Sequence, residues 1–146
     1  MILWRISRHR DLSGPGGLKA PGRSHHAGQP VVYLAGSPSG ALLEVCVHTS
    51  ANDVPPAFTL LKIEGPNVKV LAIRPEDLPD SWSANLEWTR DTGSAWLRKN
   101  AGVLLKVPSA LVPQTFNFLF NPMHARAANF RIADAFPYPF DLRLKT

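Results

Sequence analysis

The apolar positions along the chain change period several times, and each change marks an element. Ile2 to Ile6 alternates, with Trp4 and Ile6 on one face and Leu3 and Arg5 on the other, which predicts a first strand. Ser13 to Gly22, punctuated by Gly14-Pro15-Gly16-Gly17 and Pro21-Gly22, reads as a long loop. Val31 to Ala35 is β-branched, aromatic and apolar between Pro30 and Gly36, so it predicts a short buried strand whose Tyr33 faces away from Val32 and Leu34. Ser37 then offers an N-cap and Pro38 fits the first helical position. Ala41, Leu42, Leu43, Val45, Cys46 and Val47 surround the helix that follows, which predicts burial nearly all round.

Ala51 to Ala57 is a polar, Pro-containing connection into a strand at Phe58 to Glu64. Val68, Val70 and Ala72 continue with period two after Gly65-Pro66-Asn67, predicting a hairpin or a nearby antiparallel neighbour. Pro75 to Trp82 reads as an exposed loop or one helical turn. Thr89 to Asn100 predicts a helix with Arg98 and Lys99 at its favourable C-terminal end, and Gly93 weakens its first turn. Val103 to Val107 predicts a buried strand. Phe116 to Phe120 predicts another, stopped by Asn121-Pro122. Phe130 to Phe136 and Phe140 to Leu142 supply the last extended pieces. Six or more short strands with two or three short helices favour an α+β fold over a doubly wound sheet.

Glu44 is the residue that fits this pattern least. A carboxylate taken from water without partners costs several kcal/mol, so in an apolar helix it must find donors, hold its proton or line a cleft. Gly40, Ala41, Val47 and His48 are its neighbours one turn away, so the turn before it carries almost no side chain and leaves room for a ligand.

A chain of 146 residues, 45% of them hydrophobic, suits one core, and one domain over residues 1–146 is expected. The 14 Pro and 10 Gly predict short elements and many loops. The net charge of +5 is concentrated at the ends, with five Lys/Arg against one acid before residue 31. That balance admits nucleic acid, a phosphate-bearing small molecule or an acidic protein as partner. No cluster of basic residues interleaves with aromatics, so nucleic acid is the weaker choice, and Trp82, Trp88 and Trp96 read as core residues. Cys46 is the one cysteine and sits in the apolar helix, which suits a buried thiol in a reducing cytoplasm. The apolar start Met1 to Trp4 is too brief for a signal peptide and no run approaches membrane-spanning length, so a soluble cytoplasmic protein is expected.

The Gly-rich loop can bring backbone N–H groups to a phosphate, but it is neither a P-loop nor a dinucleotide fingerprint. Gly36-Ser37-Pro38-Ser39-Gly40 places proline where a nucleophile elbow needs serine, which argues against a Ser-His-Asp hydrolase. His25 and His26 are adjacent and would diverge, and His9, His48 and His124 lack ligand spacing, so no metal site is expected.

In chain order, Gly22-Arg23, Pro30 to Ala35, Ser37-Pro38, Ala41 to Val45, His48, Val107 to Pro113, Asn117 and Asn121-Pro122 resemble the RES domain. That family is named for an arginine, a glutamate and a serine, matched here by Arg23, Glu44 and Ser109. The likeness runs from Trp4 to Leu144, with one departure: an aromatic residue usually follows the loop arginine, and here Ser24-His25-His26 stands in its place. The resemblance implies a fold similar to the diphtheria-toxin-like ADP-ribosyltransferases. It also implies a bacterial toxin of a type II toxin–antitoxin pair that degrades NAD at the nicotinamide–ribose bond, by hydrolysis or by phosphorolysis with inorganic phosphate. The implied catalytic residues are Glu44, Arg23 and Tyr33. Glu44 would stabilise the oxocarbenium ion, Arg23 would pair with the NAD diphosphate and Tyr33 would stack on nicotinamide. Ser109 would bond the ribose or nicotinamide side, and Asn121 would line the NAD site. NAD is thus substrate, with no metal. The implied partner is an Xre-like antitoxin, through which alone nucleic acid would be reached, and a homodimer is left open. Two other classes also stay open: a mono-ADP-ribosyltransferase acting on a host protein, and a non-enzymatic binding module whose Glu44 satisfies a buried network.

Overall fold

Strand β1 (Ile2–Ser7) opens the chain yet lies inside a seven-stranded sheet, between β2 (Val32–Ala35) and β3 (Phe58–Glu64). The computed structural model describes residues 1–50, 52, 58–138 and 140–145. The remaining strands are β4 (Leu71–Ala72), β5 (Leu104–Pro108), β6 (Phe116–Phe120) and β7 (Arg131–Tyr138), and the sheet order is β4-β5-β6-β2-β1-β3-β7. All neighbours pair antiparallel except β4 and β5. Among the described residues three α-helices, α1 (Gly16–Lys19), α2 (Pro38–His48) and α3 (Leu86–Lys99), complete the α+β architecture with short 3-10 turns.

Residues paired across antiparallel strands share a face. The registers Trp4 with Ala35, Ala35 with Asn117 and Asn117 with Val107 therefore draw one row across β1, β2, β6 and β5. The opposite face carries the largest apolar cluster, including Leu3, Val32, Leu61, Ile63, Leu104 and Phe120. Each such side chain stabilises by about 1.5–3 kcal/mol on burial, so this face holds the fold and leaves the other free to carry a site. On that other face α3 packs Trp96 and Leu97 over Leu105, Val107 and Leu119, while α2 packs Ala41 near Ile6 and Ala35. Tyr33 points to this second face, away from Val32 and Leu34, as alternation predicts.

Several expectations need correction. Helix α2 is not buried all round: only Ala41 is, and Leu43 and Val47 are 38% and 54% exposed. The helix joins the apolar cluster through Ala41, Leu42, Val45 and Cys46, and among the described residues no apolar cluster includes Leu43 or Val47. Cys46 is accordingly half-buried. Residues 68–72 form no hairpin with β3; Leu71 and Ala72 pair in parallel with Leu105 and Lys106 on the far edge. Phe140 to Leu142 is not extended, because Leu142–Lys145 turns into a 3-10 helix. Helix α3 starts earlier than Thr89, since the Asn85 side chain accepts from the Trp88 N–H at 3.1 Å and caps it. It ends at Asn100, which takes the left-handed conformation at φ 51. Trp96 packs in the core, whereas Trp82 and Trp88 are half-buried outside all three apolar clusters. The predicted connection at 51–57 lies outside the described residues apart from Asn52.

Candidate functional site

A cavity of about 420 Å³ opens on the helix-bearing face, between α2, residues 22–24 and the β5–β6 connection. Its size falls in the range of small-molecule sites, and its walls are mostly apolar, with Arg23, Tyr33, Glu44, His48 and Asn117 as convergent polar groups. Three residues singled out in the sequence, Arg23, Tyr33 and Glu44, therefore meet around one hollow.

Glu44 reaches this cavity from the middle of α2. Asn117 Nδ2 donates to Glu44 Oε1 at 2.7 Å, and His48 Nε2 stands 3.7 Å from Oε2 one turn along the helix. One carboxylate oxygen is thus held from β6, and the other has only the looser histidine contact. The side chain is 29% exposed, so it is reachable from solvent yet surrounded by apolar wall. Asn117 was identifiable in the sequence: it is the lone polar residue in Phe116 to Phe120, on the opposite face from its flanking phenylalanines.

Tyr33 is tied to the loop that carries Arg23. Its hydroxyl accepts from the Ser24 N–H at 3.1 Å and donates to His25 Nδ1 at 2.7 Å. Burial pushes the phenol up to about 12, so it stays a donor at any working pH. His25 Nδ1 also accepts from the Gly22 N–H at 3.2 Å, which puts the imidazole proton on Nε2, a buried atom with no hydrogen-bond partner among the described residues. Burial lowers the His25 pKa, which favours this neutral form. A Cβ at Gly22 would overlap the Tyr33 hydroxyl, so the approach requires glycine there. The histidine after Ser24 thereby anchors Tyr33 to the loop in a sequence that lacks the usual aromatic residue.

The same loop is gripped from α3, an interaction that pattern reading does not anticipate. Arg90 Nε donates to the Gly22 carbonyl at 2.7 Å, Thr89 Oγ1 to the Arg23 carbonyl at 2.7 Å, and Ser94 Oγ accepts from the His26 N–H at 2.8 Å. Gly93 lies against the Ser24 carbonyl so closely that a Cβ would overlap the oxygen. His26 adds an exposed 2.6 Å contact to Asp91. Gly93 was expected to weaken the helix; its place is set by this close approach.

The side chain of Arg23 lies across the outer wall. Nη2 donates to the Ser83 carbonyl, the guanidinium sits 5.9 Å from the Trp82 ring centroid, and Nε is buried with no partner among the described residues. Ser109 and Asn121 are placed elsewhere. The Ser109 hydroxyl accepts from the N–H groups of Leu111 at 3.1 Å and Val112 at 3.3 Å, shaping the turn whose Ala110 and Leu111 line the cavity. Asn121, 2% exposed, lies past the other end of β6, where Nδ2 donates to Asn100 Oδ1 at 2.9 Å and Oδ1 accepts from the Met123 N–H at 3.0 Å. It joins the α3 C-cap to the sheet and is not among the cavity-lining residues. Among the described residues no group of three His, Cys, Asp or Glu side chains could hold a metal ion, and no helix is long and apolar enough to cross a membrane.

Fold and cavity together define an α+β domain that sets a glutamate, a tyrosine and an arginine around one ligand-sized hollow. The RES domain model matches residues 2–141, and the chain belongs to that family. It is 50% identical to a Pseudomonas putida protein named Toxin Res, over 90% of this chain and 92% of that relative. It is 33% identical to the Prs ADP-ribosylating toxin of a Sphingobium species, over 97% of this chain and 94% of that relative. Among solved structures, the crystal structure of the M. tuberculosis MbcT–MbcA toxin–antitoxin complex contains a chain of like fold, with a TM-score of 0.73 and 21% identity. That match covers 99% of this chain and 86% of the other.

Proposed function

We propose that this chain is the toxin of a type II toxin–antitoxin pair and cleaves NAD between nicotinamide and ribose. The observation that carries this reading is the convergence of Arg23, Tyr33 and an oriented Glu44 on one cavity. Breaking the C–N bond sends its electron pair out with neutral nicotinamide and leaves positive charge on the ribose ring. Glu44, with one oxygen fixed by Asn117, stabilises that charge, because a carboxylate already oriented in an apolar site needs no reorganisation as the charge develops. Water or inorganic phosphate then adds at the ribose carbon and a proton is released. Arg23 fits the diphosphate: its buried, unpartnered Nε is a donor awaiting an acceptor, and a guanidinium makes forked bonds to phosphate oxygens. Tyr33, its hydroxyl engaged in the loop, offers its ring to nicotinamide. Ser109 acts on the ribose side through the turn it shapes, and Asn121 supports the site through the end of β6. We place the activity in the cytoplasm, restrained by an Xre-like antitoxin, within one domain over residues 1–146. The test is nicotinamide release from NAD with and without phosphate; no release at any protein concentration would leave a binding module.

A second reading, transfer of ADP-ribose to a host protein, is favoured by the relative named as an ADP-ribosylating toxin. Label from NAD that stays on protein, and not in small products, would select it.

A further inference from the structure

Trp82 and Trp88 are large apolar side chains that no core cluster uses. With Leu78 they wall a narrow second hollow that shares Arg23, Ser24, Val107 and Pro108 with the main cavity. Glu44 borders only the main cavity, so Arg23 stands on the divide between the two. The second hollow encloses about 20 Å³, room for one water and not for a ring. Arg23 stands at its wall, the guanidinium 5.9 Å from the Trp82 ring centroid and tethered to the Ser83 carbonyl.

We propose that this hollow is a purine-base subsite, which takes the adenine of the dinucleotide when Arg23 turns from Trp82 to the diphosphate. The inference rests on the reading of NAD as substrate. In a dinucleotide the diphosphate separates the two bases, and Arg23 is where the two hollows join, so a nicotinamide end beside Glu44 puts the adenosine end against Trp82. The exchange balances chemically. An indole ring beside a cation is also a surface on which a flat base stacks. The buried Nε gains the acceptor it lacks, and the Ser83 carbonyl, on an exposed residue, passes to water. Without phosphate to draw Arg23 away, the hollow stays shut.

Calorimetric titration of the whole chain with ADP and with inorganic pyrophosphate tests this on wild type, Trp82→Ala and Trp82→Phe. Pyrophosphate probes Arg23 alone, whereas ADP adds the base. Trp82→Ala is expected to weaken ADP by about tenfold or more, from the usual strength of base–aromatic stacking, and to leave pyrophosphate within about twofold. Trp82→Phe, which keeps a ring, is expected to restore most of the ADP affinity. Equal ADP affinity in wild type and Trp82→Ala, or equal weakening of both ligands, overturns the subsite while the NAD reading stands. A wild-type chain that binds neither ligand yet releases nicotinamide from NAD overturns the subsite alone, and one that does neither overturns both.

Discussion

Asn117 Nδ2 donates to Glu44 Oε1 at 2.7 Å, joining a sheet strand to the middle of a helix 73 residues earlier in the chain. This bond converts an ill-placed carboxylate into an oriented one, since removing it would leave Glu44 free to rotate within α2. Glu44→Gln keeps the volume and an acceptor for Asn117 but loses the charge. It is expected to lower NAD turnover by about a hundredfold to a thousandfold with unchanged thermal stability. Asn117→Ala keeps the charge and loses its orientation. Its expected drop in kcat is smaller, about tenfold to a hundredfold, as befits one hydrogen bond to a charged group. Near-normal turnover in Glu44→Gln would remove Glu44 from the chemistry.

Arg23→Lys retains positive charge and loses the fork. NAD affinity is expected to fall substantially, because a point ammonium cannot bond two phosphate oxygens in one plane. Titration calorimetry decides: unchanged affinity would place Arg23 outside the site.

Gly93→Ala sets two effects against each other. Alanine favours the helix by about 1 kcal/mol, whereas a Cβ driven into the Ser24 carbonyl oxygen costs about 1–3 kcal/mol and must push the loop away. The contact is backbone against backbone, so the second effect should win. The expected result is a lower Tm and turnover reduced by about tenfold or more; a raised Tm with normal turnover would show that α3 does not position the arginine loop.

Acidification should loosen the same loop. Burial lowers the His25 pKa from 6.5, so between that value and the folded one the unfolded chain binds a proton that the fold excludes. The stability contributed by neutral His25 is complete above pH 6.5 and is lost as pH falls through its depressed folded value. Protonation would put an N–H at Nδ1, opposite the Gly22 N–H and the Tyr33 O–H it now accepts from. Asn at position 25 keeps an acceptor that cannot titrate in this range. Tm measured against pH should therefore fall less steeply in His25→Asn than in wild type below pH 6.5, and equal slopes would absolve His25.

An antitoxin that silences the chain is expected to cover the cleft between residues 13–30, Tyr33 and Glu44. Five basic residues precede residue 31, so an acidic or carboxylate-ended segment can dock there in the manner of a diphosphate. Inhibition should be competitive with NAD and weaken as salt rises. Turnover measured against antitoxin at several NAD concentrations checks it, and inhibition indifferent to NAD would point to a remote effect.

The strands were legible because their alternation is strong. Tyr33 could be assigned opposite Val32 and Leu34 without any tertiary knowledge, and Glu44 stood out as a charge in an apolar helix. What could not be read was which distant element meets which. Residues 68–72 alternate as a hairpin arm would, but their partner is β5, and no local pattern encodes that choice. Asn117 and Asn121 look alike in sequence, each beside a phenylalanine in or just after β6. Four positions apart, they fall at opposite ends of the strand, one on a carboxylate and one on a helix cap. The α3 contacts to residues 22–26 run mostly through the loop backbone, which leaves no signature in side-chain type.

The order in which these pieces are synthesised follows from the 73-residue separation of Glu44 and Asn117. At about 5–20 residues per second, a ribosome that has made Glu44 needs roughly 4 to 15 s to reach its partner. The loop anchors at Thr89, Arg90 and Ser94 also arrive within that interval. Until Asn117 is made, a nascent chain has its arginine, tyrosine and glutamate without the strand that aligns them, and before Ser94 is made without the full clamp. On the proposed reading, such a chain is expected to stay catalytically silent until β6 has emerged and paired with β2.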